Sequence, residues 1–181
     1  MDLTKVLYSR RSVREYTSQA VDEEVIRQLI DAAVQAPSAF NQQPWLFTVV
    51  RDKTMLARIS QQSKVHILKT TPASDFQQTL EDPEFHIFYH APVLVVISAP
   101  SGPWIVEDCA LAAENLMLAA CAAGLGTCWI GFSQGWLGTP EGKSTIGLSD
   151  SSMPVAPIIV GHPRQTVGPV ARKAPDIKWI G

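Results

Sequence analysis

The segment from Val106 to Ala123 constrains the fold more than any other part of the chain, because it is apolar on almost every side. Alanine, leucine, methionine and cysteine fill most of it, and Gly124 follows at the position where helices commonly end. This composition predicts a helix that is buried over most of its surface. Its many alanines would also let another backbone approach closely. Burial inside one subunit and burial at a dimer interface therefore both stay open.

Four apolar runs between helical segments predict β-strands. Proline, glycine or charged residues bound them, which is typical of strand ends. The predicted strands are Trp45 to Val50, Val93 to Ser98, Thr127 to Phe132 and Val155 to Val160. A helix is predicted from Asp22, as its N-cap, to about Gln35, and short helices are expected between residues 53 and 90. Strands separated by helices indicate a mixed arrangement of α and β elements.

Size and charge limit the class of protein. With 181 residues and 46% hydrophobic content, residues 1–181 are expected to form a single domain. The 15 basic residues nearly balance 17 acidic ones, and the net charge of −2 argues against a nucleic-acid or membrane partner. The amino terminus lacks the layout of a secretory signal, and no apolar run is long enough to span a membrane. A cytoplasmic location is therefore the default expectation.

The spacing of cysteine and histidine argues against disulfide and metal sites. Cys109, Cys121 and Cys128 lie in apolar segments and form no C-x-x-C pair. His86 and His90 could share one face of a helix, but no third ligand presents itself, so no metal is expected. The stretch that contains these histidines could instead line a pocket for an electron acceptor.

A basic cluster near the amino terminus suits a phosphate group. Arg10, Arg11 and Arg14 stand close together, with Ser12 between them. Guanidinium groups offer fixed pairs of donors that match phosphate oxygens, and the serine hydroxyl adds a neutral donor.

An amide-rich stretch lies in the loop between the first predicted helix and the first predicted strand. Asn41, Gln42 and Gln43 each carry a donor and an acceptor. Such side chains match the alternating carbonyl and N–H edge of a flavin pyrimidine ring. Together with the basic cluster, they predict a phosphorylated flavin, FMN.

Four motifs together resemble the nitroreductase family. They are residues 10–16 (RRSVREY), 36–45 (APSAFNQQPW), 124–131 (GLGTCWIG) and 160–163 (VGHP). The likeness runs from about residue 4 to the end of the chain and is loosest between residues 53 and 90. It implies an α+β fold, with a central mixed sheet flanked by helices, and an intertwined homodimer that binds FMN at its interface.

The resemblance also implies roles for individual residues. Arg10 and Ser12 match positions that hold the flavin phosphate and ribityl region, and Arg11 is a weaker match. Arg14 matches a basic position near the N1 and O2 edge of the ring, where it would tune the flavin electrostatically. The other implied contacts are Pro37, Ser38, Asn41 and Gln43 across the dimer interface, Thr127, Trp129, Ile130 and Gly131 facing the ring, and Arg172 and Lys173 near the phosphate.

The match near the carboxyl terminus leaves an alternative open. It rests on a short stretch around Arg172 and Lys173, so Arg164 is a possible substitute at the phosphate. Apolar residues at Ile177 and Trp179 need a surface to cover, and a tail that reaches across to a partner subunit would supply one.

The resemblance implies an enzyme that uses NADH or NADPH and FMN to reduce nitroaromatic, quinone or related small-molecule acceptors. The flavin would carry the chemistry at N5, so no side chain is expected to be a catalytic nucleophile. A single flavin-like constellation without a separate dinucleotide fold predicts a ping-pong cycle. Gly124, Gly126 and Gly131 imitate a dinucleotide loop, but they follow a helix and precede a strand, the reverse of the Rossmann order. A module that stores or senses FMN without turnover is the alternative, and flavin oxidases and dehalogenating relatives stay open.

Overall fold

The computed structural model describes residues 2–71 and 76–181, and these residues form seven α-helices and four strands. The helices are α1 (Leu3–Ser9), α2 (Glu23–Ala33), α3 (Lys53–Thr70), α4 (Gln77–Glu81), α5 (Ile105–Ala122), α6 (Gly131–Leu137) and α7 (Pro140–Thr145). The strands are β1 (Leu46–Val50), β2 (Val93–Pro100), β3 (Gly126–Trp129) and β4 (Ser152–Gly161). A short 3₁₀ turn, Ala39–Asn41, precedes β1. The predicted α+β class is confirmed.

The four strands form one sheet in the order β1-β2-β4-β3. All three ladders between neighbouring strands are antiparallel. Ser12 forms an isolated parallel bridge with Thr127 at the free edge of β3. The basic segment, residues 10–14, therefore pairs with the edge of an otherwise antiparallel sheet through one parallel bridge.

Helices cover both faces of the sheet, and the alternation along β2 shows why. Val93, Val95 and Ile97 belong to a core shared with α2 and α5. Leu94 and Val96 belong to a second core shared with α3 and α6. Because successive side chains of a strand point to opposite faces, a continuous apolar run can fill both cores at once.

The predicted apolar helix is α5, and it ends as expected. Gly124 has a φ of 76°, and the N–H of Leu125 donates to the carbonyl of Ala120 at 2.8 Å, which is the bond of a Schellman cap. Most of α5 is buried within the chain, yet Val106 is 51% and Leu111 is 45% exposed. Burial within the chain therefore explains most of the apolar pattern of α5, and one stripe of the helix surface, which includes Val106 and Leu111, is exposed to solvent. Across the described residues, no helix has both the length and the hydropathy to cross a membrane.

The expectation of only short helices after residue 53 is wrong, because α3 is long. Asp52 caps it by accepting the N–H of Met55 at 2.7 Å. Ser60, Ser63 and Lys64 lie on its buried face, so polar residues interrupt the apolar stripe that would have shown the helix in the sequence. The later α4 is short, as predicted, and the part of the prediction at residues 72–75 lies outside the described residues.

One predicted boundary needs correction, and one predicted cap lacks its expected hydrogen bond. The third strand ends at Trp129 and does not continue to Phe132, because Ile130 turns away and α6 begins at Gly131. The side-chain oxygen of Ser133 donates to the carbonyl of Ile130 at 2.9 Å, which stabilises this turn. Asp22 does occupy the N-cap of α2, but its side chain makes no capping hydrogen bond.

Candidate functional site

The basic segment lies beside β3 in an extended conformation. The N–H of Val13 donates to the carbonyl of Thr127 at 2.9 Å. Val13 is 8% exposed and packs over Gly126, where a Cβ atom would lie 2.8 Å from three atoms of Val13. Ser12 and Arg14, on either side of Val13, are exposed. A glycine at position 126 thus lets the segment approach the sheet while its polar side chains remain accessible.

A cavity beside this segment carries donors that suit a phosphate. It measures about 260 Å³, and its polar lining includes Arg10, Arg11, Thr127, Gln165 and Thr166. The Nε atom of Arg10 lies 3.6 Å from a carboxylate oxygen of Glu114. Arg11 donates to the carbonyls of Arg10 and Gly168 at 2.7 and 3.2 Å. Guanidinium, hydroxyl and carboxamide groups around one space favour an anion with several oxygens.

Arg14 lies at a second cavity, of about 320 Å³. Its guanidinium carbon is 6.0 Å from the centre of the Tyr89 ring, at the limit of a cation–π contact. Tyr89 and His90 line the same cavity and have φ values of 50° and 56°. Left-handed conformations at bulky residues are strained and concentrate at functional sites. His86 also lines this cavity, so the structure brings the predicted acceptor-pocket residues next to Arg14.

His86 is held in its neutral form. Burial, together with the nearby charges of His90 and Lys64, lowers the pKa of His86 from 6.5 to about 4. Its Nδ1 atom accepts the N–H of Phe88 at 3.2 Å, so a proton of the neutral ring resides on Nε2. At neutral pH His86 therefore offers the cavity a hydrogen-bond donor and is itself uncharged.

Two titratable groups support the basic segment from the core side. The hydroxyl of Tyr16 donates to the carbonyl of Val13 at 2.7 Å, and burial raises the pKa of Tyr16 well above its ordinary value. Burial also raises the pKa of the Cys128 thiol, although the charge of Arg14 opposes this effect. Both groups stay protonated near neutral pH, so their contribution is to packing and hydrogen bonding.

The amide-rich loop has an unusual backbone. Phe40, Asn41 and Gln43 have φ values of 51°, 53° and 50°. Asparagine tolerates this region, whereas phenylalanine rarely adopts it. The Oγ atom of Ser38 accepts the N–H of Gln43 at 2.9 Å, and the side-chain amide of Gln43 donates to Asn41 Oδ1 at 3.1 Å. Three of the predicted residues thus form one cluster, in which Asn41 and Gln43 are exposed and Ser38 is half-buried, and Pro37 stands at its start.

Within one chain, the amide cluster and the basic cluster lie apart. Neither cavity beside the basic segment has a residue from 37 to 43 in its lining. Helix α5 contacts both clusters at different points: Asp108 accepts the N–H of Ala39 at 2.9 Å, and Glu114 contacts Arg10. The stretch of helix between these two contacts spans about 9 Å at 1.5 Å per residue. Within one chain, the two cavities described beside the basic segment therefore do not include the amide-rich loop.

The segment predicted to face the ring contributes mainly to the core through its side chains. Thr127 and Ile130 are buried, and Trp129 is half-buried against the core shared by α2 and α5. Gly131 is exposed, and a Cβ atom there would meet nothing within 4 Å. Open space at Gly131 leaves the backbone accessible to a ligand.

The basic residues near the carboxyl terminus separate into two groups. Arg164 lines the same cavity as Arg14, and its N–H donates to the carbonyl of Glu15 at 3.0 Å. Arg172 and Lys173 are exposed and line neither of the two cavities. Within one chain, the structure brings Arg164 to the basic segment and leaves the other two away from it.

Sequence reasoning missed the importance of two buried charged residues. Asp108 stands in the first turn of α5 and holds the amide-rich loop by accepting the N–H of Ala39. The Nζ atom of Lys64 donates to the carbonyls of Asp82 and Phe85 at 2.6 and 2.9 Å and so fixes the segment that carries His86. Asp108 is one of three carboxylates in α5, with Glu107 and Glu114, so the sequence did not single it out, and Lys64 lies in a polar stretch that gave no signal.

Comparisons with known proteins agree on one family. The model described as the nitroreductase family matches residues 7–162. A relative from Archaeoglobus fulgidus, provisionally named NADH dehydrogenase/NAD(P)H nitroreductase, is 31% identical over 88% of this chain and 84% of its own. A relative of the same name from Methanothermobacter thermautotrophicus is 30% identical over 93% of this chain and 81% of its own. A structure from Bacteroides fragilis, described as a nitroreductase with bound FMN, matches all of both chains with a TM-score of 0.88 and 24% identity, which shows a shared fold.

Proposed function

Since the chain belongs to the nitroreductase family, we propose that it is an FMN-dependent oxidoreductase that uses NADH or NADPH to reduce small-molecule acceptors such as nitroaromatics and quinones. One observation carries the proposal: Arg10 and Arg11 line a cavity where the basic segment pairs with β3. The names of the archaeal relatives, which include NAD(P)H, and the FMN bound by the Bacteroides fragilis structure support it.

The residues present fit FMN. The cavity beside β3 offers two guanidinium groups and neutral donors, the chemistry that a terminal phosphate requires. Gly131 leaves open space beside backbone, which allows close approach of a flat ring. Asn41 and Gln43 supply exposed carboxamides for a ring edge of alternating donors and acceptors.

Each group of this chain then has a physical task. When bound, FMN supplies the centre that accepts and passes on hydride, at N5. Arg10, Arg11 and Ser12 would neutralise and orient the phosphate. Arg14 keeps a permanent positive charge in its cavity, which favours a bound group that gains electrons. No side chain is needed as a nucleophile.

We propose that a second copy of the chain completes the site. No residue of the amide-rich loop lines either cavity beside the basic segment, which is the arrangement expected if a partner supplies the loop to the same ring. Exposed apolar residues at the carboxyl terminus support this assembly, because Trp179 is 87% and Ile180 is 88% exposed. Side chains of this kind are stabilised when another surface covers them.

Removal of residues 176–181 tests the assembly. Burial of Trp179 and Ile180 against a partner would contribute about 1.5–3 kcal/mol per side chain, so the truncated chain should dissociate at much higher protein concentration. Sedimentation velocity over a dilution series measures this change. Lys178→Ala is the matched control, because it alters the same segment without removing apolar surface, and it should leave the dimer intact. A full-length protein that sediments as a monomer at every concentration would rule out the proposal.

We further propose a ping-pong cycle in which donor and acceptor use the same face of the site in turn. The family assignment and the open cavity next to Arg14 support this scheme. Initial rates at several fixed acceptor concentrations should give parallel double-reciprocal lines against NADH or NADPH. Lines that converge at a point would require both substrates to bind together and would exclude the scheme.

A visible absorption spectrum followed by anaerobic reduction tests the function itself. The purified protein, supplied with FMN and dialysed, should be yellow, and NADH or NADPH should bleach the flavin band within seconds. A yellow protein that neither donor bleaches would instead be a storage or sensing module. A protein that retains no FMN would refute the proposed function altogether.

A further inference from the structure

Asp108 is a buried carboxylate that faces the amide-rich loop. Among the residues that the structure describes, Asp108 and Lys64 are the charged residues classed as buried, and Asp108 is 4% exposed. A buried charge destabilises a fold unless hydrogen bonds or a favourable field compensate it. Asp108 lies near the start of α5, where the helix dipole favours negative charge, and Oδ1 accepts the N–H of Ala39 at 2.9 Å. The compensation that it finds thus comes partly from the loop.

The loop needs an external attachment to keep its shape. Its left-handed residues Phe40, Asn41 and Gln43 persist only where the surroundings hold them in place. The bonds from Gln43 to Ser38 and Asn41 lie within the loop and can move with it as a unit. The bond to Asp108 instead ties the loop to a long, mostly buried helix.

We propose that Asp108 is a positioning residue that holds the carboxamides of Asn41 and Gln43 in the orientation that grips the flavin ring. This inference rests on the proposed function, because it presupposes that FMN binds. Asp108 acts through Ala39 and does not touch the ring. The phosphate is held by the separate cluster around Arg10, so loss of Asp108 should weaken contacts to the ring and leave contacts to the phosphate unchanged.

Two ligands separate these contacts. Riboflavin has the ring and the ribityl chain of FMN but lacks its phosphate, so binding of riboflavin reports on the contacts other than those to the phosphate. Asp108→Ala should weaken binding of FMN and of riboflavin by the same factor, about tenfold, the size expected for one hydrogen bond to a charged group. Arg10→Ala should instead weaken binding of FMN much more than binding of riboflavin.

The experiment titrates the flavin-free protein with each ligand and follows flavin fluorescence. The visible spectrum of the bound flavin is recorded as well, because a change of global stability alone would not shift its bands. Asp108→Ala should shift the bands. Asp108→Asn should keep the affinity and the spectrum of the unmodified chain, because its amide oxygen can still accept the N–H of Ala39.

Each outcome decides the inference. If the unmodified chain binds no FMN, the proposed function fails and the role of Asp108 fails with it. If the unmodified chain binds FMN and Asp108→Ala keeps the same affinities and spectrum, the positioning role alone is wrong.

Ala39→Pro provides a second variant should Asp108→Ala fail to fold. Proline removes the same hydrogen bond from the donor side, and Ser38 already has the extended backbone that a residue before proline prefers. Weaker binding of both ligands by Ala39→Pro supports the inference, and unchanged binding of riboflavin overturns it.

Discussion

Replacing Gly126 with alanine tests whether the contact between β3 and the basic segment shapes the proposed phosphate site. The added Cβ atom would lie 2.8 Å from the Cβ and both methyl carbons of Val13. Carbon atoms in ordinary contact lie at least about 3.5 Å apart, so the segment would have to move outwards by roughly 0.7 Å. The neighbouring hydrogen bond from Val13 to Thr127 is 2.9 Å long and resists this movement.

The cost follows from the overpacking. Forcing extra carbon into a close-packed contact destabilises a protein by about 1–3 kcal/mol. For a chain of this size, each kcal/mol lowers the melting temperature by about 2–4 °C, so Gly126→Ala should melt about 2–12 °C lower. Arg10 and Arg14 lie on the segment that moves, so their donors would no longer be placed for the phosphate and ring. Affinity for FMN should fall about tenfold or more.

Thermal unfolding and FMN titration measure the two effects separately. Gly102→Ala is the matched control, because its Cβ atom would lie 3.8 Å from the nearest atom of Ile105, which is an ordinary contact. Adding Val13→Ala to Gly126→Ala removes two of the three close atoms and should recover part of the FMN affinity. If Gly126→Ala melted and bound FMN like the unmodified chain, the packing of the segment on β3 would not determine the site.

Two further predictions concern the charges around the cavities. Arg10→Ala should weaken FMN binding about ten- to a hundredfold, because a charge-assisted hydrogen bond contributes about 1.5–3 kcal/mol, whereas Glu114→Gln should not weaken it. Equilibrium dialysis checks both, and unchanged FMN content in Arg10→Ala would remove Arg10 from the phosphate site. Folding lowers the pKa of His86 from 6.5 to about 4. As the pH falls, the unfolded chain therefore takes up a proton at this residue before the folded chain does. The stability that neutral His86 contributes is complete above pH 6.5 and is lost as the pH falls towards 4. His86→Asn keeps an acceptor for the N–H of Phe88 and should reduce the change in the free energy of unfolding between pH 6.5 and pH 4 by about 1–3 kcal/mol. Denaturant titrations at several pH values measure this change. An equal dependence on pH in both proteins would contradict the prediction.

Elements whose signals are local could be predicted from the sequence. The prediction of family membership is confirmed by the match over residues 7–162. Helix α5 and its end at Gly124 followed from composition and from the preference of helix ends for glycine. The position of Asp22 at the start of α2 followed in the same way.

Elements whose signals depend on distant partners could not be predicted. Ser60 and Lys64 are buried in α3 because they bind backbone of the segment 82–87, and a sequence pattern does not show that pairing. The basic segment was predicted as a group of side chains, but its pairing with β3 depends on the contact between Val13 and Gly126. The attachment of the amide-rich loop to Asp108 is likewise a tertiary hydrogen bond.

The exposed stripe of α5 supports the proposed dimer in a specific geometry. Leu111 stands halfway between Asp108, which holds the amide-rich loop, and Glu114, which contacts Arg10. A two-fold axis that passes close to Leu111 would pack the exposed side of α5 against the same helix of a second copy, running in the opposite direction. The amide-rich loop of one chain would then approach the basic segment of the other. Two-fold symmetry would repeat this contact between loop and basic segment, which predicts two equivalent flavin sites per dimer.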